Sequence, residues 1–226
     1  MTKTIENLFL VLHHISSAVV VLLFVCFFKK LSREKGIIAL TLYCLVDLLL
    51  NFTAQFLPVR WHLYINAFST ILEYSIFSYF IYLNVSSRLV RKIIMVLSLL
   101  FIAFAVIFNW VTAKFESFDS VPIGIETILI LLYSFCFLYE QANSSRTSFI
   151  YEQYPFWIIV GIMLYLGGSF FIFMFYRYIS HSLLSQYWSL TNLFYALMNL
   201  LFITALIIFL KSKDNKKVSS RELYLI

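Results

Sequence analysis

Charge is what this sequence has least of. Asp, Glu, Lys and Arg make up 12% of its 226 residues, against roughly 25% in a soluble domain. Hydrophobic residues make up 62%. So little polarity cannot clothe a water-facing surface, which excludes a soluble globular domain and makes lipid the solvent. Cysteine is also sparse. Cys26, Cys44 and Cys136 all lie inside apolar runs, and no two have metal-site spacing. They read as buried thiols, not as a disulfide framework. Glycine and proline number five and three, and no Gly-rich phosphate loop is present. There is no Gly-x-Ser-x-Gly nucleophile motif either.

What the sequence does have is long apolar runs rich in Phe (25) and Tyr (15). A membrane-spanning helix needs roughly 20 residues at about 1.5 Å each. Seven stretches reach that length: 7–28, 36–57, 61–85, 91–113, 120–141, 155–178 and 187–210. The first, from Leu8 to Phe28, is too long for the core of a secretory signal and has no small-residue cleavage site after it. It is expected to stay as a helix. The fold expected is an all-α integral membrane protein, a single bundle of seven transmembrane helices over 1–226. Residues 211–226 form a basic tail.

The net charge of +6 does not point to nucleic acid, because the basic residues cluster between the apolar runs. That is the pattern of loops beside anionic lipid. One side carries Lys29, Lys30, Arg33, Lys35, Arg88, Arg91, Lys92, Arg146, Lys211, Lys213, Lys216, Lys217 and Arg221, 13 in all. The other carries Lys3, Arg60, Lys114 and Arg177, which is 4. The asymmetry predicts an outer N-terminus and a cytoplasmic C-terminus. Trp61, Trp110, Trp157 and Trp188 fall near the span boundaries, as an aromatic belt does. Only about five residues precede the first stretch and 16 follow the last. Any signal is therefore expected to leave through a separate cytoplasmic partner, with Arg88, Arg91 and Lys92 facing it. The tail itself reads as a lipid-facing anchor.

Ionisable groups at bilayer depth cost at least about 2.5 kcal/mol each, so they face the protein interior or water. Asp47 and Glu73 lie near the middle of their stretches, and Asn51 is one turn from Asp47. Glu126, His13, His14 and Asn192 belong to the outer half, and Asn199 to the midplane. Asp47, Asn51, Glu73, Glu126, His13, His14 and Asn199 are the candidate ligand-binding residues. They predict a polar cavity open to the outside, with Tyr74, Tyr79 and Tyr165 as walls. His13 and His14 point about 100° apart, so at most one faces a given site. Asn192 and Asn199 also carry a structural reading, as interhelical hydrogen-bond glue. Gly161, Gly167 and Gly168 read as a close helix contact.

Catalysis finds little support. A zinc-dependent seven-helix hydrolase would need a His-x-x-x-His pair in 187–210, which has no histidine. A retinal protein would need a lysine there, and the nearest is Lys211. No metal, cofactor or catalytic residue is expected. The helix count, Asp47 and Asn199 resemble the polar core of class A G-protein-coupled receptors in architecture. The Asp-Arg-Tyr and Asn-Pro-x-x-Tyr motifs and the extracellular disulfide of that family are absent. The three-plus-one-plus-three layout of SWEET-type transporters also fits the count, without their paired Pro-Gln signatures.

The runs LEYSIFSYFIYL (72–83) and PFWIIVGIMLYLGGSFFIF (155–173) are similar to segments of small seven-helix bacterial membrane proteins. The resemblance covers about 30 residues. Some such families form the sensing part of signalling systems, so the resemblance implies a sensor-like role in a bacterial inner membrane. The expectation is thus a receptor-like module that binds a small molecule from outside. The alternatives are a small proton-coupled transporter and a membrane-embedded lipid-modifying enzyme.

Overall fold

The computed structural model describes residues 3–54, 56–113, 120–143, 149–175 and 181–222. These residues form α1 (Lys3–Cys26), the short α2 (Phe28–Leu31), α3 (Lys35–Ala54), α4 (Val59–Asn84), α5 (Arg88–Ile107), α6 (Ser120–Ala142), α7 (Tyr154–Met174) and α8 (His181–Glu222). A π-helical stretch, Phe108–Ala113, continues α5, and a 3-10 turn, Ile150–Glu152, precedes α7. No strand occurs among the described residues.

The local chemistry explains where the helices begin. Pro58 precedes the first turn of α4, and Pro155 occupies the first turn of α7. There a missing N–H costs no hydrogen bond. Pro122 sits in the same way in the first turn of α6. Ser87 caps α5 by accepting from the Val90 N–H at 3.4 Å. Glu140, from the end of α6, accepts from the Ser86 and Ser87 N–H groups at 2.7 and 3.2 Å. A carboxylate on free N–H groups at a helix start satisfies both the donors and the helix dipole.

Six helical segments are long and apolar enough to cross a membrane: Lys3–Cys26, Lys35–Ala54, Arg88–Val111, Val121–Ala142, Tyr154–Met174 and Gln186–Ser212. The chain is therefore a multi-pass membrane protein by its helices. The 26-residue α4 is long enough but less apolar than these six. The physical reason is its position. It packs against α3, α5, α6 and α7, and its polar residues Asn66, Ser69, Thr70 and Glu73 line an interior cavity. Tyr74, Phe77, Phe80 and Ile81 of α4 are fully buried.

Many exposed side chains in the apolar segments are themselves apolar, among them Leu22, Leu99, Leu100, Leu132, Phe171 and Ile207. A rim of such residues is stable only against acyl chains. Trp61 and Trp110 are exposed on this rim. Trp157 instead donates its indole N–H to the Tyr151 carbonyl at 2.8 Å.

Small residues set the closest approaches. A Cβ at Gly161 would lie 3.2 Å from the Met198 carbonyl of α8, a backbone atom that cannot turn aside. At Gly168 it would strike the Phe194 ring at 2.6 Å. These two glycines form the α7–α8 contact expected of them. Gly167 does not, since nothing lies within 4 Å of its Cβ position. Of the cysteines, Cys44 is buried, whereas Cys26 and Cys136 are exposed, which corrects the reading of all three as buried.

Candidate functional site

A cavity of about 1010 Å³ opens into the bundle at the end where α1 begins. Its wall comes from the first half of α1 (His13), the second half of α3 (Asp47, Asn51) and the first half of α4 (Asn66 to Glu73). Glu126 enters from α6, Tyr165 from α7, and Thr191, Asn192 and Tyr195 from α8. Six helices thus turn polar residues toward one volume. Its size is at the upper end of the small-molecule range of about 300–1,000 Å³.

The centre of the wall is a histidine–carboxylate pair. His13 Nε2 lies 3.0 Å from Asp47 Oδ2. On its other side, His13 Nδ1 is 3.2 Å from Asn192 Oδ1. The Tyr195 ring stacks on the imidazole, centroids 4.0 Å apart and planes 7° from parallel. Asn51 donates its amide to Asp47 Oδ1 and to the Asp47 carbonyl, both at 3.0 Å. The pair ties α1, α3 and α8 together, and the stack holds the ring in one orientation.

Glu73 forms a second node. The Tyr43 hydroxyl donates to its Oε2 at 2.9 Å, and the Tyr165 hydroxyl to the same oxygen at 3.5 Å. Glu126 is 2% exposed, and its Oε1 has no hydrogen-bond partner. A buried polar atom without a partner costs about 1–3 kcal/mol, more when charged. Beneath the cavity, Asn199 is fully buried and donates to Ser16 and Ser17 Oγ at 3.1 and 2.9 Å. Its Oδ1 accepts weakly from the Cys44 thiol at 3.7 Å. Around and below that level Phe77, Phe80, Ile159, Ile162, Met198 and Phe202 fill the interior.

Five of the seven residues singled out in the sequence line this cavity: Asp47, Asn51, Glu73, Glu126 and His13. Asn199 lies in the packed layer beneath it and binds other helices. His14 does not line it. Its ring leans on His13 with centroids 5.1 Å apart, and its buried Nε2 has no hydrogen-bond partner. Tyr165 is a wall residue as expected. Tyr74 is not, because its hydroxyl joins Tyr133 and Ser98 at 3.1 and 3.2 Å deeper in the bundle. Tyr79 is 40% exposed and is not a wall residue either.

Several wall residues escaped notice in the sequence. His62 sits in the first turn of α4, 2.9 Å from the Ala54 carbonyl through Nε2. Asn66, Ser69, Thr70 and Glu73 line the cavity together. Their spacing of three and four is a helical stripe. Trp188, Thr191, Asn192 and Tyr195 repeat that spacing on the part of α8 that lines the cavity.

At the opposite end, Arg88 and Lys92 are exposed. Arg91 is partly engaged: its Nε donates to the Val85 carbonyl at 2.7 Å, and its guanidinium lies 5.7 Å from the Tyr82 ring centroid. Arg146 and Arg177 lie outside the described residues.

No protein-family model, curated protein or solved structure matches this chain.

Proposed function

We propose that the chain is a seven-helix receptor-like sensor that binds a small molecule in this cavity. All seven long helices cross the bilayer in this reading, α4 among them, because its polar stripe is shielded by its neighbours. The basic asymmetry of 13 against 4 supports an orientation with the N-terminus and the cavity mouth outside. The observation that carries the reading is the one-ended cavity. A polar volume lined by six helices stands above a packed aromatic layer. Such a site holds a ligand without offering it a second exit.

The output would travel along α4. Its first half lines the cavity, and its last turn abuts the turn that Arg91 braces through Val85 and Tyr82. Arg88 and Lys92 beside that turn would face a cytoplasmic signalling protein. A bacterial inner membrane is the setting that the resemblance implies.

Purified protein in proteoliposomes tests the reading. A sensor couples its two ends, so Glu73→Gln should change the thiol-labelling rate of an Arg88→Cys reporter at least twofold. An imposed pH gradient should drive no solute uptake. Gradient-driven uptake that Asp47→Asn abolishes would instead make the protein a proton-coupled transporter.

A further inference from the structure

The cavity wall has a one-sided charge. Asp47, Glu73 and Glu126 are carboxyl groups, and Glu6 stands at the mouth. Among the described residues no Lys or Arg lines it. The histidines present, His13 and His62, are engaged with Asp47 and with the Ala54 carbonyl. Asp47 is therefore matched within the protein. Glu73 receives two tyrosine hydroxyls on one oxygen. Glu126 is 98% buried by its 2% exposure, lines the cavity, and leaves Oε1 without a partner.

An ionised carboxyl group held in that way at bilayer depth is costly until a proton or a cation neutralises it, and a ligand cation can take the proton's place. Aromatic rings complete the wall: Tyr165 and Tyr195 meet edge to face at 5.3 Å, and Trp188 stands nearer the mouth. Acidic oxygens beside aromatic faces recognise an ammonium group, through charge-assisted hydrogen bonds and cation–π attraction. A bare metal ion fits less well, because no three His, Cys, Asp or Glu side chains converge among the described residues. A volume of about 1010 Å³ also exceeds what an ion needs.

We infer that the ligand is a small organic ammonium cation whose nitrogen docks between Glu126 and Glu73. Its apolar body lies against Tyr165, Tyr195 and Trp188. This inference rests on the cavity being a ligand site and adds the chemical class.

The test compares three probes of similar size on the full chain in nanodiscs: phenylethylammonium, 2-phenylethanol and 3-phenylpropionate. Thermal midpoint and tryptophan fluorescence are both read during titration. Phenylethylammonium should raise the midpoint and saturate, and the neutral and anionic probes should do neither. Glu126→Gln and Glu73→Gln keep side-chain size and should each weaken the cation at least tenfold. Equal binding of the alcohol or the carboxylate would overturn the cation class while leaving a ligand cavity standing. An absence of any cation response, or one unchanged in both variants, would also overturn it. Failure of the cavity reading has a separate signature, because Ser69→Cys would then be closed to water-soluble thiol reagents.

Discussion

Asp47→Ala should destabilise the protein by about 2 kcal/mol, the largest loss among single truncations of the cavity wall. The reason is that this carboxylate joins α3 to α1 and, through the His13 ring it holds, to α8. Removing it strips His13 Nε2 of its partner and frees the Asn51 amide from Oδ1. His13 would keep only Asn192 and the stacked Tyr195 ring. Breaking one partner of a buried pair costs more than the pair contributes, because the remaining group stays desolvated. Interhelical hydrogen bonds in lipid are worth less each, about 0.6 kcal/mol on average, and the wall borders a polar cavity. These two considerations place the effect between the two scales. Asp47→Asn retains an acceptor for His13 and should cost less than half as much. Thermal unfolding in one detergent, followed by exposure of buried Cys44 to a thiol-reactive dye in a Cys26→Ala, Cys136→Ala background, measures both variants. Equal stability of Asp47→Ala and wild type would remove the pair as a structural tie.

Glu126→Leu should act in the opposite direction. Its Oε1 is buried without a partner, so an apolar side chain of similar length relieves a desolvation cost of about 1–3 kcal/mol. The ligand-free protein should melt at a higher temperature, and phenylethylammonium should no longer stabilise it. Gain of stability with loss of binding is the signature of a residue retained for function. A merely structural glutamate would lower the midpoint when replaced. The pair of substitutions thus separates two roles that look alike in the sequence, where both residues are simply carboxylates inside apolar runs.

Much of the architecture was legible because lipid imposes one rule: apolar runs of about 20 residues become helices. Two expected stretches lie close to observed helices, 36–57 against Lys35–Ala54 and 61–85 against Val59–Asn84, whereas 187–210 is only the middle of His181–Glu222, which continues through most of the basic tail. Intramembrane cost also led to the cavity, since Asp47, Glu73 and Glu126 are hard to explain on a lipid face. What escaped was mostly neutral polarity. Ser69, Thr70, Asn66 and Thr191 cost too little singly to attract attention, although their spacing on α4 and α8 forms a stripe. His14 and Tyr79 were overreached for a different reason. Depth along a helix can be counted from the sequence, but rotation about its axis depends on which neighbours pack where. Asn199 has the right depth, yet close packing around Ser16, Ser17 and Cys44 turns it to cohesion between helices.

The most direct test of the account is access to the cavity from one side of the membrane. A chain with Cys26→Ala and Cys136→Ala keeps only the buried Cys44, and a single reporter, Ser69→Cys or Arg88→Cys, is then added. Intact cells are treated with a membrane-impermeant charged thiosulfonate. Ser69→Cys on the cavity wall should label from outside, and Arg88→Cys should label only after the membrane is permeabilised. Protection of Ser69→Cys from the external reagent, or labelling of Arg88→Cys in intact cells, would contradict an outward-facing cavity.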